Sequence, residues 1–121
     1  MNIQEKFDIM VARLFDGKGQ CMNTNNICCY LSDKGNKCVV GVLIPDGHPA
    51  QKFDGGVPYL DIRYSNDPVI RDEVIGDDLD FLIHMQNIHD KIVYWDGYFL
   101  NDLGIAELKR VAELYGLELK M

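Results

Sequence analysis

The chain is short of positive charge and tryptophan, and it has no long apolar run. Of 121 residues only 12 are Lys or Arg, against 19 Asp or Glu, for a formal charge of −7. The broad basic surface that holds nucleic-acid phosphates is therefore missing, and no nucleic-acid partner is expected. The longest apolar run, Cys38 to Pro45, falls far short of the ~20 residues that cross a bilayer, so no membrane partner is expected either. Glu5, Lys6 and Asp8 interrupt the hydrophobic pattern near the start, which the apolar region of a signal peptide does not tolerate. These features lead to the expectation of a cytoplasmic protein, whose cysteines (21, 28, 29 and 38) stay as free thiols. Hydrophobic residues at 47% and charged residues at 26% suit a folded domain and exclude disorder or a collagen-like chain. No linker, internal repeat or low-complexity stretch divides residues 1–121, which read as one compact domain. At this length folding hides roughly 65% of the extended chain's surface, so no disulfide or metal staple is required.

Periodicity gives an α+β class: about three helices packed on a small antiparallel β-hairpin or sheet. Ile3, Phe7, Met10, Val11 and Leu14 form a helical stripe, with Asn2 as cap and Gly17 as stop. Residues 27–31 and 37–44 flank the turn cluster 32–36 and read as a hairpin. The second strand is almost continuously apolar, as when both faces are covered. Gly41 within it marks a bulge or a close backbone approach. A second helix is expected from Asp77 or Asp78, either of which can cap it, to about His89. Its two apolar stripes indicate deep burial. Residues 92–95 and 98–100 flank Asp96-Gly97, a turn dipeptide, and fit two short strands or a broken helix. A third helix is expected over roughly 103–115.

Candidate binding residues come from three features. Residues 45–60 hold three of the four prolines and three glycines, and irregular stretches this long are often functional. Asp46, His48, Phe53 and Tyr59 are its chemistry-bearing side chains. Residues 61–80 carry seven acids against two bases. That is the composition of a solvated loop entering a helix, or of an acidic face for a basic partner through Asp72, Glu73, Asp77 and Asp78. Six aromatics (Tyr59, Tyr64, Tyr94, Trp95, Tyr98, Phe99) exceed what so small a core needs. Trp95 and Tyr98 are the anchors such a surplus offers a partner.

Catalytic and metal signals are weak. The cysteines are separated by 6, 0 and 8 residues, unlike the paired knuckles of structural zinc, so they read as small buried hydrophobes. A thiol nucleophile at Cys28, Cys29 or Cys38 could in principle work with His89 and Asp90, or with His48 and Asp46, but geometry alone decides such triads. His84 and His89 lie five apart, which is not a two-histidine metal face. Asp54-Gly55-Gly56 lacks the Lys-Ser/Thr and the strand-to-helix frame of a phosphate loop. No catalytic residue, metal or cofactor is assigned.

Cys29-Tyr30, then Gly35-Asn36-Lys37-Cys38-Val39-Val40-Gly41-Val42-Leu43-Ile44-Pro45-Asp46, and later Met85-Gln86-Asn87-Ile88-His89-Asp90, resemble a family of small uncharacterised proteins of tailed bacteriophages and prophages. Its pattern is a Gly-x-Lys-Cys-x-x-Gly-x-Leu-Ile-Pro-Asp strand and a Gln-x-Ile-His-Asp helix end. Val111 to Leu117 is also similar. Val42 stands where many relatives carry Cys, Met85 where they carry Leu, and residues 91–103 are longer and more aromatic. The resemblance implies a phage product working in the host cytoplasm, and it brings no activity with it. The leading expectation is an accessory protein that binds and modulates or inhibits a host bacterial protein, antiphage defence components included. The alternatives are a small Cys/His-dependent enzyme and a pocket protein that sequesters a nucleotide-like signal, the latter disfavoured by the charge of −7. The oligomeric state is left open.

Overall fold

The computed structural model describes residues 1–25 and 27–120. The first helix, α1 (Ile3–Leu14), opens with a reciprocal cap: Asn2 Oδ1 accepts the Glu5 N–H (2.9 Å) and Glu5 Oε1 accepts the Asn2 N–H (3.1 Å). Its apolar stripe is buried as expected, through Phe7, Met10, Val11 and Leu14. Lys6 is buried with it. Its ammonium reaches Asp78 Oδ2 (2.8 Å) and the Ile75 carbonyl (3.3 Å), as a charge that far inside requires.

The expected hairpin over 27–31 and 37–44 does not form. Two isolated antiparallel bridges, Met22↔Cys28 and Leu31↔Lys37, are all the pairing this region makes among the described residues. Beyond them the chain turns in at Val39 and Val40, both fully buried, and runs through a 3-10 turn at Gly41–Leu43. Side chains replace the missing ladder. Arg13 donates from Nε to the Lys37 carbonyl and from its terminal nitrogen to the Gly19 carbonyl (2.7 Å), while Gln86 Oε1 accepts the Val40 N–H (3.4 Å). Buried backbone groups must pair somewhere, and a turn enclosed on every side yields the same unbroken apolar run as a covered strand. The close approach expected at Gly41 is present: a Cβ there would lie 2.1 Å from the Tyr30 carbonyl oxygen.

A second 3-10 turn (Pro49–Lys52) leads to α2 (Val57–Arg63), a helix inside the stretch read as irregular. Pro58 sits in its first turn, where a missing N–H costs nothing. A π-helix (Val69–Ile75) follows. It buries Ile70, Val74 and Ile75, and the five-residue step from Ile70 to Ile75 matches its wider winding. Next come α3 (Leu79–Asp90), a short turn at Ile92–Tyr94, the strands β1 (Trp95–Asp96) and β2 (Phe99–Leu100), and α4 (Asp102–Leu114). The strands pair antiparallel, Trp95 opposite Leu100.

The class is α+β, with five helices rather than three among the described residues and the two-stranded sheet at 95–100. The additional helices are α2 and the π-helix. Helix α3 is the central post: it buries residues on both stripes and packs against α2 and α4. At its upper end Phe81 meets Phe7 (ring centroids 6.1 Å apart) and Tyr115 (5.4 Å). Asp78 occupies the cap position of α3, but its side chain makes no capping bond and faces Lys6 instead. Among the described residues, no helix is long and apolar enough to cross a membrane.

Candidate functional site

At the lower end of α3 several side-chain hydrogen bonds converge. His89 is completely buried. Its Nε2 accepts the Cys21 N–H (2.8 Å), so the ring proton sits on Nδ1 and is donated to Asp90 Oδ1 (2.7 Å). Gln86 Nε2, one turn earlier, donates to the same oxygen (2.8 Å). Gln20 and Trp95 donate to the last carbonyls of α3: Gln20 Nε2 to those of His89 and Asp90, Trp95 Nε1 to that of His89. Helix ends leave such carbonyls unpaired, and pairing them here pins both the distant Gln20 loop and the nearby strand that carries Trp95.

Beside this network lies a pocket of about 460 Å³. Residues 27–30 form one wall and residues 53–56 the other, with Gln86 and Asp90 at the α3 end. Tyr30 Oη donates to the Gly55 carbonyl (2.9 Å) and ties the walls together. Gly55 has φ +152°, and a Cβ on it would press on the Phe53 ring at 3.0 Å, so this rim requires glycine. The lining holds two carboxylates, Asp54 and Asp90, and no basic side chain.

Donor atoms of Cys28, His89 and Asp90 lie within 4.8 Å of one another, which is the outline of either a metal site or a catalytic triad. The hydrogen bonds fit neither. Both His89 nitrogens are in use, so the imidazole has no lone pair left for a metal or for the Cys28 proton. The thiols are also poor nucleophiles. Burial, reinforced by the Asp90 charge, pushes Cys28 up to about 12. Burial and a hydrogen bond with Cys21 (Sγ to Sγ 3.4 Å) push Cys29 to about 12 as well. Cys38 is raised by burial to about 12, and its sulfur accepts the Gly41 N–H (3.1 Å). Thiols this basic carry almost no thiolate at neutral pH. The other triad does not assemble, because His48 pairs with Asp67 (2.9 Å) and Asp46 pairs with Lys37.

The residues expected to bind a partner are scattered. Asp46 and Tyr59 are exposed at opposite ends of the 45–60 stretch, His48 is half-buried, and Phe53 stands edge-on to Tyr64 (6.0 Å) while lining the pocket. Asp72 pairs with its neighbour Arg71 (2.8 Å), and Glu73 and Asp77 are exposed. Asp78 holds Lys6 and Trp95 is buried with its N–H bonded, so both serve the core. Tyr98 is exposed, and it is not alone. Among the described residues, five of the twelve exposed large apolar side chains fall within residues 92–103: Ile92, Val93, Tyr98, Phe99 and Leu103. Asn101 joins this unit, donating from Nδ2 to the Val93 carbonyl (2.8 Å) and capping α4 through the Gly104 N–H (3.0 Å). Sequence reasoning missed Gln86 and the aliphatic members of the surface set, and it weighed Asp54 only within a Gly-rich phosphate-loop candidate. Only the aromatic surplus pointed toward that surface.

Comparison with protein-family models, curated proteins and solved structures finds no match for this chain.

Proposed function

We propose that the protein is a phage-encoded accessory factor that acts in the host cytoplasm by binding a bacterial protein and modulating or inhibiting it. The target classes include antiphage defence components. The docking surface is the 92–103 unit, and the observation that carries this reading is its exposed apolar set: Ile92 at 77%, Tyr98 at 67% and Phe99 at 66% exposure. Such concentrations on a small domain mark interaction sites. Trp95 and Leu100 face inward from the same two strands and are buried, so the outward side chains stand on a fixed base. Less ordering is then lost on binding. Exposed Asp96 and Asp102 flank the set and favour a partner with a basic rim. The resemblance of the 35–46 and 85–90 segments to phage proteins supports the bacterial target.

Capture from bacterial lysate with matched variants tests this. The wild-type chain is expected to retain one host protein at stoichiometric yield. Tyr98→Asp with Phe99→Asp should abolish capture, since anchors of this kind contribute about 2 kcal/mol or more each. Triple reversal of Asp72, Glu73 and Asp77 to Lys should leave capture intact. Loss with the reversed acids and retention with the hairpin variant would move the interface to the acidic face. The absence of any captured protein, in strains with and without defence systems, would overturn the reading.

A further inference from the structure

The pocket at the lower end of α3 has a chemistry that the hairpin surface does not use. We propose that it is a binding site for a guanidinium group. Two carboxylates line it and no basic residue does, so a cation entering it meets net negative charge. Asp90 is set for this role. Its Oδ1 is held by both His89 and Gln86 and the Cys28 thiol lies beside the same carboxylate, while no N–H donor reaches Oδ2 among the described residues, which leaves it for a ligand. Asp54, on the opposite wall, is exposed and makes neither a side-chain hydrogen bond nor an ion pair among the described residues. The pocket also sits at the C-terminal end of a twelve-residue helix, the negative end of its dipole.

Three features favour guanidinium over a simple ammonium. The carboxylates approach from two walls, which suits a planar group with five donors better than a point charge. The Phe53 and Tyr30 rings line the same cavity, and aromatic faces stack on guanidinium. The remaining lining is uncharged, made of the Cys28 and Cys29 thiols, Ile27, the Gln86 amide and glycine backbone, which lets a weakly hydrated cation enter without displacing a bound one. Anionic ligands are disfavoured for the reason that cations are favoured, and this weighs against a nucleotide-like occupant. The site goes beyond the host-binding reading: none of the five exposed residues of the 92–103 unit lines it, so either proposal can fail alone.

The test is an amide chemical-shift titration of the full chain with three probes: agmatine, N-acetyl-arginine methylamide and the uncharged isostere N-acetyl-citrulline methylamide. The guanidinium probes are expected to give saturable shifts at residues 28–30, 54–56 and 90. The citrulline probe should bind at least about tenfold more weakly, the usual loss when a charged hydrogen-bond partner is removed. Saturation by agmatine alone would identify a free small molecule as the source of the group, and saturation by the capped arginine would identify a peptide side chain. Asp54→Asn and Asp90→Asn should each weaken binding severalfold. Asp54 has no structural partner, so its variant carries the test even if Asp90→Asn loosens the His89 network. Failure of both guanidinium probes to saturate would overturn the proposal. So would equal binding of citrulline, or unchanged affinity in Asp54→Asn.

Discussion

His48 and His89 each accept a backbone N–H at one ring nitrogen and face an aspartate at the other, yet they do opposite work. His48 Nδ1 takes the Ala50 N–H (3.0 Å), closing a turn two residues away, and its long-range bond is the one to Asp67 (2.9 Å). His89 reverses the assignment. Its aspartate is the next residue in the chain, and its long-range bond is to the Cys21 N–H, 68 residues distant. The first imidazole tethers two surface loops through an ionisable partner. The second pins a core loop through a backbone amide that never titrates. Burial matches this division: His89 is fully enclosed and His48 is not. A His-Asp pair found in a sequence therefore says little about chemistry until the partner of the other nitrogen is known.

The largest effect that would break this contrast is a failure of His89 to matter more than His48. His89→Ala strands the Cys21 N–H and leaves a void beneath α3, so a loss of about 3 kcal/mol is expected. That corresponds to roughly 10 °C in Tm. His48→Ala removes a cap at a partly exposed turn and should cost about 1 kcal/mol. Equal losses in urea unfolding would mean that the two pairs are structurally equivalent.

The aspartates sharpen the contrast next. Asp67 Oδ1 also accepts the N–H groups of Val69 (3.0 Å) and Ile70 (3.2 Å), opening the π-helix. The Ile70 N–H first, then His48, holds the Asp67 carboxyl below its ordinary range. A carboxylate with a depressed folded pKa adds stability above its unfolded value of about 3.9, and that stability is lost as pH falls through the folded value. Between about pH 5 and pH 2, Asp67→Asn should therefore show a flatter loss of stability than the wild type. His48→Ala should flatten the same limb only in part, because the Ile70 N–H remains. If His48→Ala and Asp67→Asn gave identical acid limbs, the imidazole rather than the amide would be holding the carboxylate.

Much of this fold can be read from the residues, and the misses have physical causes. Helices α1, α3 and α4 announce themselves by apolar stripes at helical spacing, and Gly41 by its place in a run of β-branched neighbours. The 37–44 segment reads as a strand because Val39, Val40, Leu43 and Ile44 are all buried, and burial on every side erases the period that separates a strand from a turn. Helix α2 is hidden because Gly55, Gly56 and Pro58 look like breakers, although glycine at the cap and proline in the first turn are also start signals. The Gln86-Asn87-Ile88-His89-Asp90 segment marks a helix end. Its role needs Cys21 and residues 53–56, which no local pattern links to it.

The smallest expected effect separates charge from burial at the site itself. Cys28 is raised first by burial and only then by the neighbouring Asp90. Alkylation of native Cys28 and Cys29 near neutral pH should run at least about a hundredfold slower than in the urea-unfolded chain, since the reactive species is the thiolate. Asp90→Asn removes the charge, leaves the ring contact at Oδ1 and keeps the thiol's surroundings in place, so the Cys28 rate should rise only about twofold. A tenfold rise would show that the carboxylate, and not the enclosure, keeps this thiol protonated. The lower end of α3 would then be an electrostatic site first and a packed joint second, closer to the tethering pair at His48 than to a core pin.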